Sequence, residues 1–568
     1  MQRPLDLVLV WHMHQPDYRD YATGEFALPW VYLHAIKDYT DMAWHLERHP
    51  GVCAVVNFVP VLLEQLEDYC EQFERDDLRD PLLRLLVRAD ARPLTEAERM
   101  LVLDRCFHAD HKKLIAPFPP YKRLHELFLS LEAEGRAAYA YLSDQFIYDL
   151  LTWYHLSWTG ESVRRDSEVV ARLMALGGRF SHENRIELFK TVAELVRQVI
   201  PRFRRLADSG RVELSTTPQH HPLAPLLLDF RSALDAEPGT KLPDAAAYAG
   251  GRARVLAQLD AAQKSHARRF GTPARGIWPA EGGVSPAFLS LLDAQGVGWT
   301  ASGEAVLANS LRRETASPGD RSEYLYRPYR VKGAQEQLMC FFRDDRLSDL
   351  IGFEYQRWHG RDAAANFVGE LEAIADRAPQ RPVVSVILDG ENAWEYYPYN
   401  GYYFLSDLYE SLENHPAIRM TTFRAYLDAL PNQSLAPAAT GELADLVAGS
   451  WVYGNFSTWI GSADKNHAWN LLCAAKASFD QVMDSGRLGE QQKAAAARQL
   501  SDCESSDWFW WPGEYNPNEA VAVFEQMFRA KLANLYRILA LPVPANLLVA
   551  FSHGAGHPEA GGAMRRAK

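Results

Sequence analysis

The sequence predicts an α/β protein whose core is a parallel barrel of seven strands. Seven short β-type segments alternate with helical segments, and several are continuously apolar, as parallel strands covered on both faces are. Polar and aromatic residues cluster where these segments end, and a barrel carries its active site on that rim. The same alternation also permits an open, doubly wound sheet, which is the structural alternative.

The candidate strands follow one another at intervals that leave room for helices. They are residues 5–12, 51–58, 211–216, 274–281, 296–302, 336–343 and 381–389. Helical patterns fill the connections, including residues 245–271 before the fourth strand and 362–378 before the seventh. Strands that alternate with helices in this way indicate a parallel sheet or barrel.

Interruptions of the alternation divide the chain into regions. Residues 61–205 are charged and helical in pattern, and we interpret them as a helical insertion within a catalytic barrel domain of residues 1–430. A linker that begins near residue 432 leads to a mainly helical C-terminal domain of residues 431–550, which we expect to close over the cleft. The small, polar residues 551–568 are expected to be disordered.

Composition excludes several classes of protein. A net charge of −13 argues against a sequence-independent grip on nucleic acid phosphates. No segment approaches the ~20 apolar residues that span a bilayer, and the N-terminus has no signal peptide pattern. Six cysteines lie far apart without a CxxC pair, which indicates reduced thiols. We therefore expect a cytoplasmic protein with neither nucleic acid nor membrane partners, and the oligomeric state stays open.

Histidines follow two of the predicted strands. His12 and His14 lie in HMHQP, where their i, i+2 spacing lets both point the same way to bind substrate hydroxyls or a metal, and a purely structural role is the third alternative. No Asp or further His at close spacing completes a zinc site, so substrate binding is favoured. His220 and His221 follow the third strand, and we expect His221 to lie on the same rim.

Two carboxylates follow the fourth and seventh strands. Glu281 lies beside Trp278 in IWPAEGGVS, and Asp389 opens the stretch DGENAWEYYPYNG. Two carboxylates at one mouth are what cleavage of a glycosidic bond needs. A role as a helix-capping acid is the alternative for Glu281. Glu391 and Glu395 either bind sugar hydroxyls or pair with rim arginines such as Arg343 and Arg346, and for these two acids the second interpretation is favoured.

Aromatic residues are abundant, with 15 Trp, 25 Tyr and 25 Phe. Flat rings beside acids and amides suit sugars, which present apolar C–H faces and polar hydroxyl edges. The late segment GNFSTWIGSADKNHAWNLL contributes Trp459 and Asp464, which we expect to line part of the cleft. The tryptophans of DWFWWPGEYNPNE either form a substrate platform or pack between domains, and packing is favoured.

Five motifs in order resemble glycoside hydrolase family 57, a family of α-amylases, amylopullulanases, 4-α-glucanotransferases and branching enzymes. The motifs are HMHQP, STTPQHHPLAPLL, IWPAEGGVS, VILDGENAWEYYPYNG and the late segment above. The resemblance implies an incomplete seven-stranded barrel with helical additions. It also implies Glu281 as nucleophile and Asp389 as general acid/base of a retaining mechanism. The forms DGENAWE and TTPxxHP look most like the amylopullulanase and α-amylase branch.

The function expected from these observations is that of a retaining α-glycosidase acting on α-1,4-glucans, by hydrolysis or by transfer, without a cofactor or metal. The alternatives are a metal-dependent deacetylase or α-mannosidase on a related seven-stranded barrel, and a glucan-binding protein without chemistry. An Asp next to the first-strand histidines would favour the metal enzymes, whereas the presence of both acids argues against the binding protein. The residues expected to bind substrate are His12, His14, His221, Trp278, Glu391, Trp394, Trp459 and Asp464.

Overall fold

Ten strands form one sheet in the computed structural model, which describes residues 3–315, 318–332, 338–430 and 440–556. In chain order the strands are β1 (Leu5–Met13), β2 (Ala54–Phe58), β3 (Val212–Thr216), β4 (Gly276–Ile277), β5 (Trp299–Gly303), β6 (Tyr329–Val331), β7 (Met339–Arg343), β8 (Val383–Asp389), β9 (Ile418–Met420) and β10 (Gly441–Leu443).

Seven of these strands close into a parallel barrel in the order β8, β1, β2, β3, β4, β5, β7. The ring closes where Arg343 of β7 pairs with Ser385 of β8. It is incomplete only in having one strand fewer than an eight-stranded (β/α) barrel. The predicted barrel is therefore confirmed, and the open sheet is excluded. The other three strands extend the edges: β6 is antiparallel to β7, β9 is parallel to β1, and β10 is parallel to β6.

The fourth strand is much shorter than the sequence predicts. Only Gly276–Ile277 of the predicted segment 274–281 is strand, although the N–H of Trp278 still donates to the carbonyl of Thr216 at 3.0 Å. Pro279 comes next and has no N–H to offer a neighbouring strand, so the ladder stops there. Glu281 therefore lies in the short 3-10 helix Ala280–Gly282 instead of at the end of a strand.

The connection between β2 and β3 is helical, as predicted for the insertion. Its helices are Pro60–Arg75, Pro81–Val87, Glu96–Arg105, the π-helix His111–Ile115, Pro119–Glu132, the 3-10 helix Arg136–Tyr141, Asp144–Ser157, Glu161–Asp166, Glu168–Leu176 and His182–Asp208.

Helices also cover the outside of the barrel and make up most of the C-terminal region. Those of the barrel are Trp30–His34, Ala35–Tyr39 (π), Thr40–Arg48, Ala224–Leu228, Phe230–Ser232 (3-10), Ala233–Ala236, Gly251–Phe270, Ala280–Gly282 (3-10), Pro286–Ala294, Glu304–Glu314, Arg321–Tyr324, Asp345–Asp349, Leu350–Glu354 (π), Tyr355–Arg357 (3-10), Gly360–Arg377, Trp394–Tyr396 (3-10), Pro398–Gly401 (3-10), Tyr402–Glu413 and Phe423–Ala429. The C-terminal helices are Ala463–Asp484, Glu490–Cys503, Asp507–Trp510, Asn518–Ile538 and the 3-10 helix Ala545–Leu548.

Buried ionic contacts fasten the C-terminal helices to the barrel. Glu504 is fully buried and accepts hydrogen bonds from Tyr248, Arg254 and Gln258, each at 2.6 Å. A buried carboxylate needs such partners, because an unpaired charge in the interior is costly. These contacts hold the C-terminal region beside the barrel mouth.

Several other expectations concern the chain as a whole. All six cysteines are free. No helix among the described residues has the length and apolarity to cross a membrane. The predicted linker falls mostly on residues 431–439, and most of the predicted disordered tail falls on residues 557–568. Both segments lie outside the described residues.

Candidate active site

Polar side chains at the carboxyl ends of four strands point into the barrel mouth, because side chains along a strand alternate between its two faces. A separate apolar cluster has members on five barrel strands and fills the barrel interior. Side chains two residues apart on a strand share a face. On four strands a polar residue follows the last member of this apolar cluster by two positions. These residues are His12 on β1, Asn57 on β2, Arg343 on β7 and Asp389 on β8. The barrel interior is thus apolar below and polar at the carboxyl ends of the strands.

Three histidines stack at this mouth: His12 and His14 at the end of β1, and His221 after β3. The ring centroids of His14 and His221 are 3.9 Å apart, and that of His12 lies 5.2 Å from His221. Nδ1 of His12 is 2.7 Å from Oδ1 of Asn57. Burial lowers the pKa of His12 to about 3 and that of His221 well below its usual value. Both rings are therefore neutral near pH 7.

The C-terminal region supplies a carboxylate to the mouth. Oδ2 of Asp507 lies 2.9 Å from Nε2 of His14 and accepts a hydrogen bond from the hydroxyl of Ser505 at 2.6 Å. Burial opposes ionisation of Asp507, but its bonds to His14 and Ser505 outweigh that effect and hold its pKa below the usual value. Asp507 is half-buried and therefore places a negative charge at the mouth.

Glu281 is held by the same C-terminal segment. Its Oε1 accepts a hydrogen bond from the hydroxyl of Ser506 at 2.9 Å, and its Oε2 accepts one from the indole N–H of Trp451 at 3.3 Å. Its backbone carbonyl accepts from the N–H of Trp451 at 3.0 Å. The backbone of Glu281 is left-handed, with φ 58°, which is unfavourable for a residue with a side chain. These bonds stabilise that conformation.

A hydrogen-bonded chain connects His221 to Glu281. Because Ser506 donates its hydroxyl proton to Glu281, its Oγ accepts from Nδ1 of His221, 2.9 Å away. A neutral imidazole carries one N–H, and in His221 this proton is on Nδ1. Nε2 of His221 is then an acceptor, and it is buried without a partner among the described residues. It is available for a hydroxyl of a bound ligand.

Asp389 ends β8 opposite His12, its register partner on β1. Its Oδ2 accepts a hydrogen bond from the side-chain amide of Asn392 at 3.0 Å. Burial raises the pKa of Asp389 to about 6. Burial, followed by the charge of Asp507, raises the pKa of Glu281 to about 8, and Asp389 itself adds to this effect. Between these two pKa values the pair of carboxyls shares one proton, which resides on Glu281 when the site is empty.

Glu391 is buried behind the histidines. Its Oε1 accepts from the backbone N–H of His14 at 3.1 Å and from the hydroxyl of Tyr39 at 3.4 Å. Burial, followed by the charge of Asp389, raises the pKa of Glu391 well above its usual value, so this carboxyl is neutral. The predicted pairing of Glu391 and Glu395 with rim arginines is wrong, because those arginines have other partners. Arg343 binds Asp345 and Asp349, and Arg346 binds Glu370.

The tryptophans predicted to bind substrate lie at different depths. Trp278 is buried beside His12, with ring centroids 6.2 Å apart, and its indole N–H has no partner among the described residues. Trp394 is buried and donates its N–H to the carbonyl of Gly390 at 2.8 Å, so it supports the loop from below. Trp459 is fully buried, and its carbonyl accepts from the indole N–H of Trp469.

Asp464 lies in the first turn of the helix Ala463–Asp484 and accepts a hydrogen bond from Ser552 at 2.7 Å. None of its hydrogen bonds in the described part of the chain reaches Glu281 or Asp389. The structure therefore brings His12, His14, His221 and Trp278 together around the two carboxyls, whereas Asp464 contacts a different part of the C-terminal region.

The same cluster contains a set of atoms with metal-ligand spacing. One ligand atom from each of His14, His221 and Asp507 lies within 4.8 Å of the others. Asp507 thus supplies the carboxylate of this set, whereas Asp17, which follows His14 closely in the sequence, binds Arg19 instead. His14 and Asp507 already bind each other, however, and the stacked rings of His14 and His221 differ in plane by only 20°. Nearly parallel rings do not direct their lone pairs toward one point.

Sequence reasoning did not assign Ser506 or Asp507. Both lie immediately before the tryptophans of DWFWWPGEYNPNE, and in that stretch the aromatic residues are the stronger pattern. Three consecutive polar residues, Ser505 to Asp507, between two helical segments were the available signal. The tryptophans themselves pack within the C-terminal region, with Trp511 stacked on Phe524 at 4.6 Å.

Comparison with known proteins gives one family and several similar folds. The model of glycosyl hydrolase family 57 matches residues 8–439. No curated protein sequence matches the chain significantly. A branching enzyme from the hyperthermophilic archaeon Thermococcus kodakaraensis has a similar structure, with a TM-score of 0.58 and 16% identity over 96% of this chain and 93% of that one.

Two further structures are similar over nearly their whole length. A branching enzyme from the archaeon Pyrococcus horikoshii has a TM-score of 0.55 and 15% identity, and the match covers 98% of each chain. The α-amylase AmyC from Thermotoga maritima has a TM-score of 0.55 and 14% identity over 95% of this chain and 94% of that one. At these identities the likeness establishes a shared fold, including the helical C-terminal region.

Proposed function

The chain belongs to glycosyl hydrolase family 57, and from that premise we propose that it is a retaining α-glycosidase acting on α-1,4-glucans. The observation that carries the proposal is the pair of half-buried carboxyls, Glu281 and Asp389, at one barrel mouth. Burial raises the pKa of Glu281 to about 8 and that of Asp389 to about 6, so that one of the two is protonated near neutral pH. A retaining glycosidase needs one ionised carboxylate and one carboxylic acid in that position.

In this proposal Glu281 attacks the anomeric carbon while Asp389 protonates the departing glycosidic oxygen. The hydroxyl of Ser506 and the indole N–H of Trp451 stabilise the carboxylate of Glu281. Asp389 then deprotonates the incoming hydroxyl, which completes the second displacement. Nε2 of His221 and the indole N–H of Trp278, both free of partners in the described residues, are placed to bind sugar hydroxyls.

The proton must change place for this reaction, because in the empty site it resides on Glu281. The transition state carries positive charge at the anomeric carbon, and a bound sugar brings that charge against Glu281. The carboxylate form of Glu281 is thereby favoured, and the single proton of the pair passes to Asp389. The neutral rings of His12 and His221 and the charge of Asp507 need not change during this step.

The acceptor that reaches the glycosyl-enzyme decides between hydrolysis and 4-α-glucanotransfer. Water gives shorter maltooligosaccharides, and a glucan hydroxyl gives longer ones. The motif forms DGENAWE and TTPxxHP support an α-amylase or amylopullulanase type within this proposal. Incubation with maltoheptaose and with pullulan, followed by separation of the products, distinguishes these activities.

The assignment of roles is tested with substituted enzymes. Glu281→Gln should abolish turnover of every α-glucoside, because no covalent intermediate forms. Asp389→Ala should lower the rate on maltooligosaccharides by about 10²–10⁴-fold, the usual contribution of a general acid. It should spare α-glucosyl fluoride, whose leaving group needs no proton.

Azide supplies the internal control for this experiment. With Asp389→Ala, azide should trap the intermediate as the α-glycosyl azide, and the retained configuration reports an intact nucleophile. Residual activity of more than a few per cent in Glu281→Gln, or an inverted product from the unmodified enzyme, would refute the double displacement.

The second candidate function is a metal-dependent deacetylase or α-mannosidase, favoured only by the spacing of His14, His221 and Asp507. Because these groups bond to one another and a double displacement needs no Lewis acid, we expect EDTA dialysis to leave the rate on maltooligosaccharides unchanged. A loss of activity that zinc restores would support the metal enzyme instead.

A further inference from the structure

A row of aromatic side chains lies on the surface beyond the catalytic loop. We define the aromatic track as Tyr399, Tyr403, Tyr402 and Trp44, whose successive ring centroids are 5.4, 5.4 and 5.2 Å apart. Tyr399 is 57% exposed and Tyr403 is 47% exposed. Trp44 and Tyr402 are half-buried. Adjacent exposed aromatic rings form an apolar surface patch, and such patches are candidate binding surfaces.

The aromatic track ends at an open cavity of about 530 Å³, a size typical of small-ligand sites. We call it the outer cavity. Trp44 lines it together with Ser162, Asp166, Lys190 and Thr191. Ser162, Thr191 and the indole of Trp44 donate their protons to Asp41, to the carbonyl of Glu187 and to Asp166, respectively. The lining therefore offers a sugar mainly oxygen acceptors, with the ammonium of Lys190 as a donor. The outer cavity lies among helices outside the barrel and shares no lining residue with the mouth.

The exposure of Tyr399 is imposed by the fold. Tyr399 and Asn400 both have left-handed backbones, with φ of 52° and 56°. The side-chain amide of Asn400 donates to Oδ2 of buried Asp41 at 3.0 Å, which fixes the loop from beneath. An unfavourable backbone held by a buried hydrogen bond presents the tyrosine ring to solvent in a defined position.

The outer cavity is lined by three carboxylates, Asp166, Glu187 and Glu194, and by two basic groups, Lys190 and Arg202. Arg165 lies over the ring of Tyr402 and binds Glu161 at 2.9 Å, while Arg202 binds Glu47 at 2.6 Å. An anionic ligand such as a phosphate would need several free basic groups, whereas here a single lysine without an ion pair among the described residues, Lys190, faces three carboxylates. An excess of carboxylates beside exposed rings suits a neutral polyhydroxylated ligand.

We propose that the aromatic track and the outer cavity form a second α-glucan site, separate from the catalytic mouth. The proposal rests on the proposed function, because the substrate is then a polymer that extends beyond the mouth. Tyr399 follows Asp389 by 399 − 389 = 10 residues in the same loop. A glucan held on the track is therefore bound by the segment that carries the proposed acid.

The site is tested by affinity electrophoresis in gels that contain glycogen, using Glu281→Gln protein so that the polymer is not consumed. Replacing Tyr399 and Tyr403 together by Ala should raise the dissociation constant for glycogen at least about threefold, from the loss of two ring contacts. Thr191→Trp, which fills the outer cavity, should weaken binding in the same direction. The matched control is Tyr141→Ala, because Tyr141 is 88% exposed on the helical insertion, and it should bind as the parent does.

Each result decides for or against the site. Unchanged glycogen binding in both the tyrosine and the Thr191 variants, with folding verified by circular dichroism, overturns it. Equal retardation by hydroxyethyl cellulose overturns the assignment to α-glucans, and a tyrosine variant that dissociates an oligomer makes the surface a protein interface. Cleavage of maltoheptaose by the unmodified enzyme tests the proposed function separately, so either proposal can fail alone.

Discussion

Glu281 and His221 share an uncommon backbone conformation at the barrel mouth. Their φ angles are 58° and 55°, in the left-handed region that residues with side chains seldom occupy. Each is fastened by a neighbour from the C-terminal region: the N–H of Trp451 donates to Glu281, and the N–H of Ser506 donates to the carbonyl of His221. Strain at two adjacent functional positions is thus offset by hydrogen bonds from a distant part of the chain.

Burial, with a contribution from the charge of Asp507, sets the pH range in which the carboxyl pair holds one proton. Below about pH 6 both carboxyls are protonated and the proposed mechanism lacks its nucleophile, and above about pH 8 both are ionised and it lacks its acid. We therefore expect a bell-shaped dependence of kcat/KM on pH. Because the charge of Asp507 adds to the effect of burial on both groups, Asp507→Asn should move both limbs to lower pH, and the limb that reports Glu281 should move further.

Ser505→Ala is the matched control for Asp507→Asn. It removes the hydroxyl that donates to Asp507 at 2.6 Å but leaves the charge in place. Both limbs should then stay where they are in the unmodified enzyme. Limbs that move to higher pH in Asp507→Asn, or do not move at all, would contradict the electrostatic role of Asp507.

At the scale of elements, one buried carboxylate joins three parts of the fold. Asp41, on the helix Thr40–Arg48, accepts from the backbone N–H of Glu161 at 2.8 Å and of Ser162 at 3.1 Å. It also accepts from Asn400, so the first turn of Glu161–Asp166 and the loop after β8 both depend on it. Gly160 leaves the space that this carboxylate occupies, since a Cβ there would lie 2.3 Å from Oδ1 of Asp41.

Gly160→Ala should therefore destabilise the protein. The added methyl group displaces Asp41 and breaks its bonds, which should lower the free energy of unfolding by about 1–3 kcal/mol. The midpoint of urea unfolding measures this change. Gly369→Ala is the control, because Gly369 is exposed within the helix Gly360–Arg377 and nothing lies within 4 Å of an added Cβ.

The control should have the opposite effect. Alanine is favoured over glycine inside a helix by roughly 1 kcal/mol, so Gly369→Ala should raise the midpoint. If Gly160→Ala left the midpoint unchanged, the space next to Asp41 would not be limiting.

At the scale of the whole molecule, the apolar runs predicted all seven barrel strands, because a strand covered on both faces must be apolar throughout. Strand ends then placed His12, His221 and Asp389 at one mouth. The limit of β4 was not predicted, since the proline after Trp278 stops the ladder while apolar character continues. A hydrophobic pattern shows where a strand can lie, but it does not show where a missing N–H ends the strand's hydrogen bonding.

Local sequence patterns could not predict that Asp507 lies at the barrel mouth. It bonds to His14 across 493 residues of chain, and no spacing rule connects such positions. The pairing of acids with rim arginines also failed, because Arg343 and Arg346 have several carboxylates nearby, and the choice among them depends on packing. Residues fixed by strand periodicity were predictable, and residues fixed by contacts between distant segments were not.

The shortness of β4 constrains how the sequence of this protein can evolve. Glu281 follows a strand of two residues and is tied to the C-terminal segment through Trp451, and Val284 is tied to the same segment through Gly449. The barrel and the C-terminal region therefore both contribute residues to the proposed catalytic centre. Replacing either region by the corresponding region of a homologous protein would remove one side of these contacts. We therefore expect the barrel and the C-terminal region to evolve together.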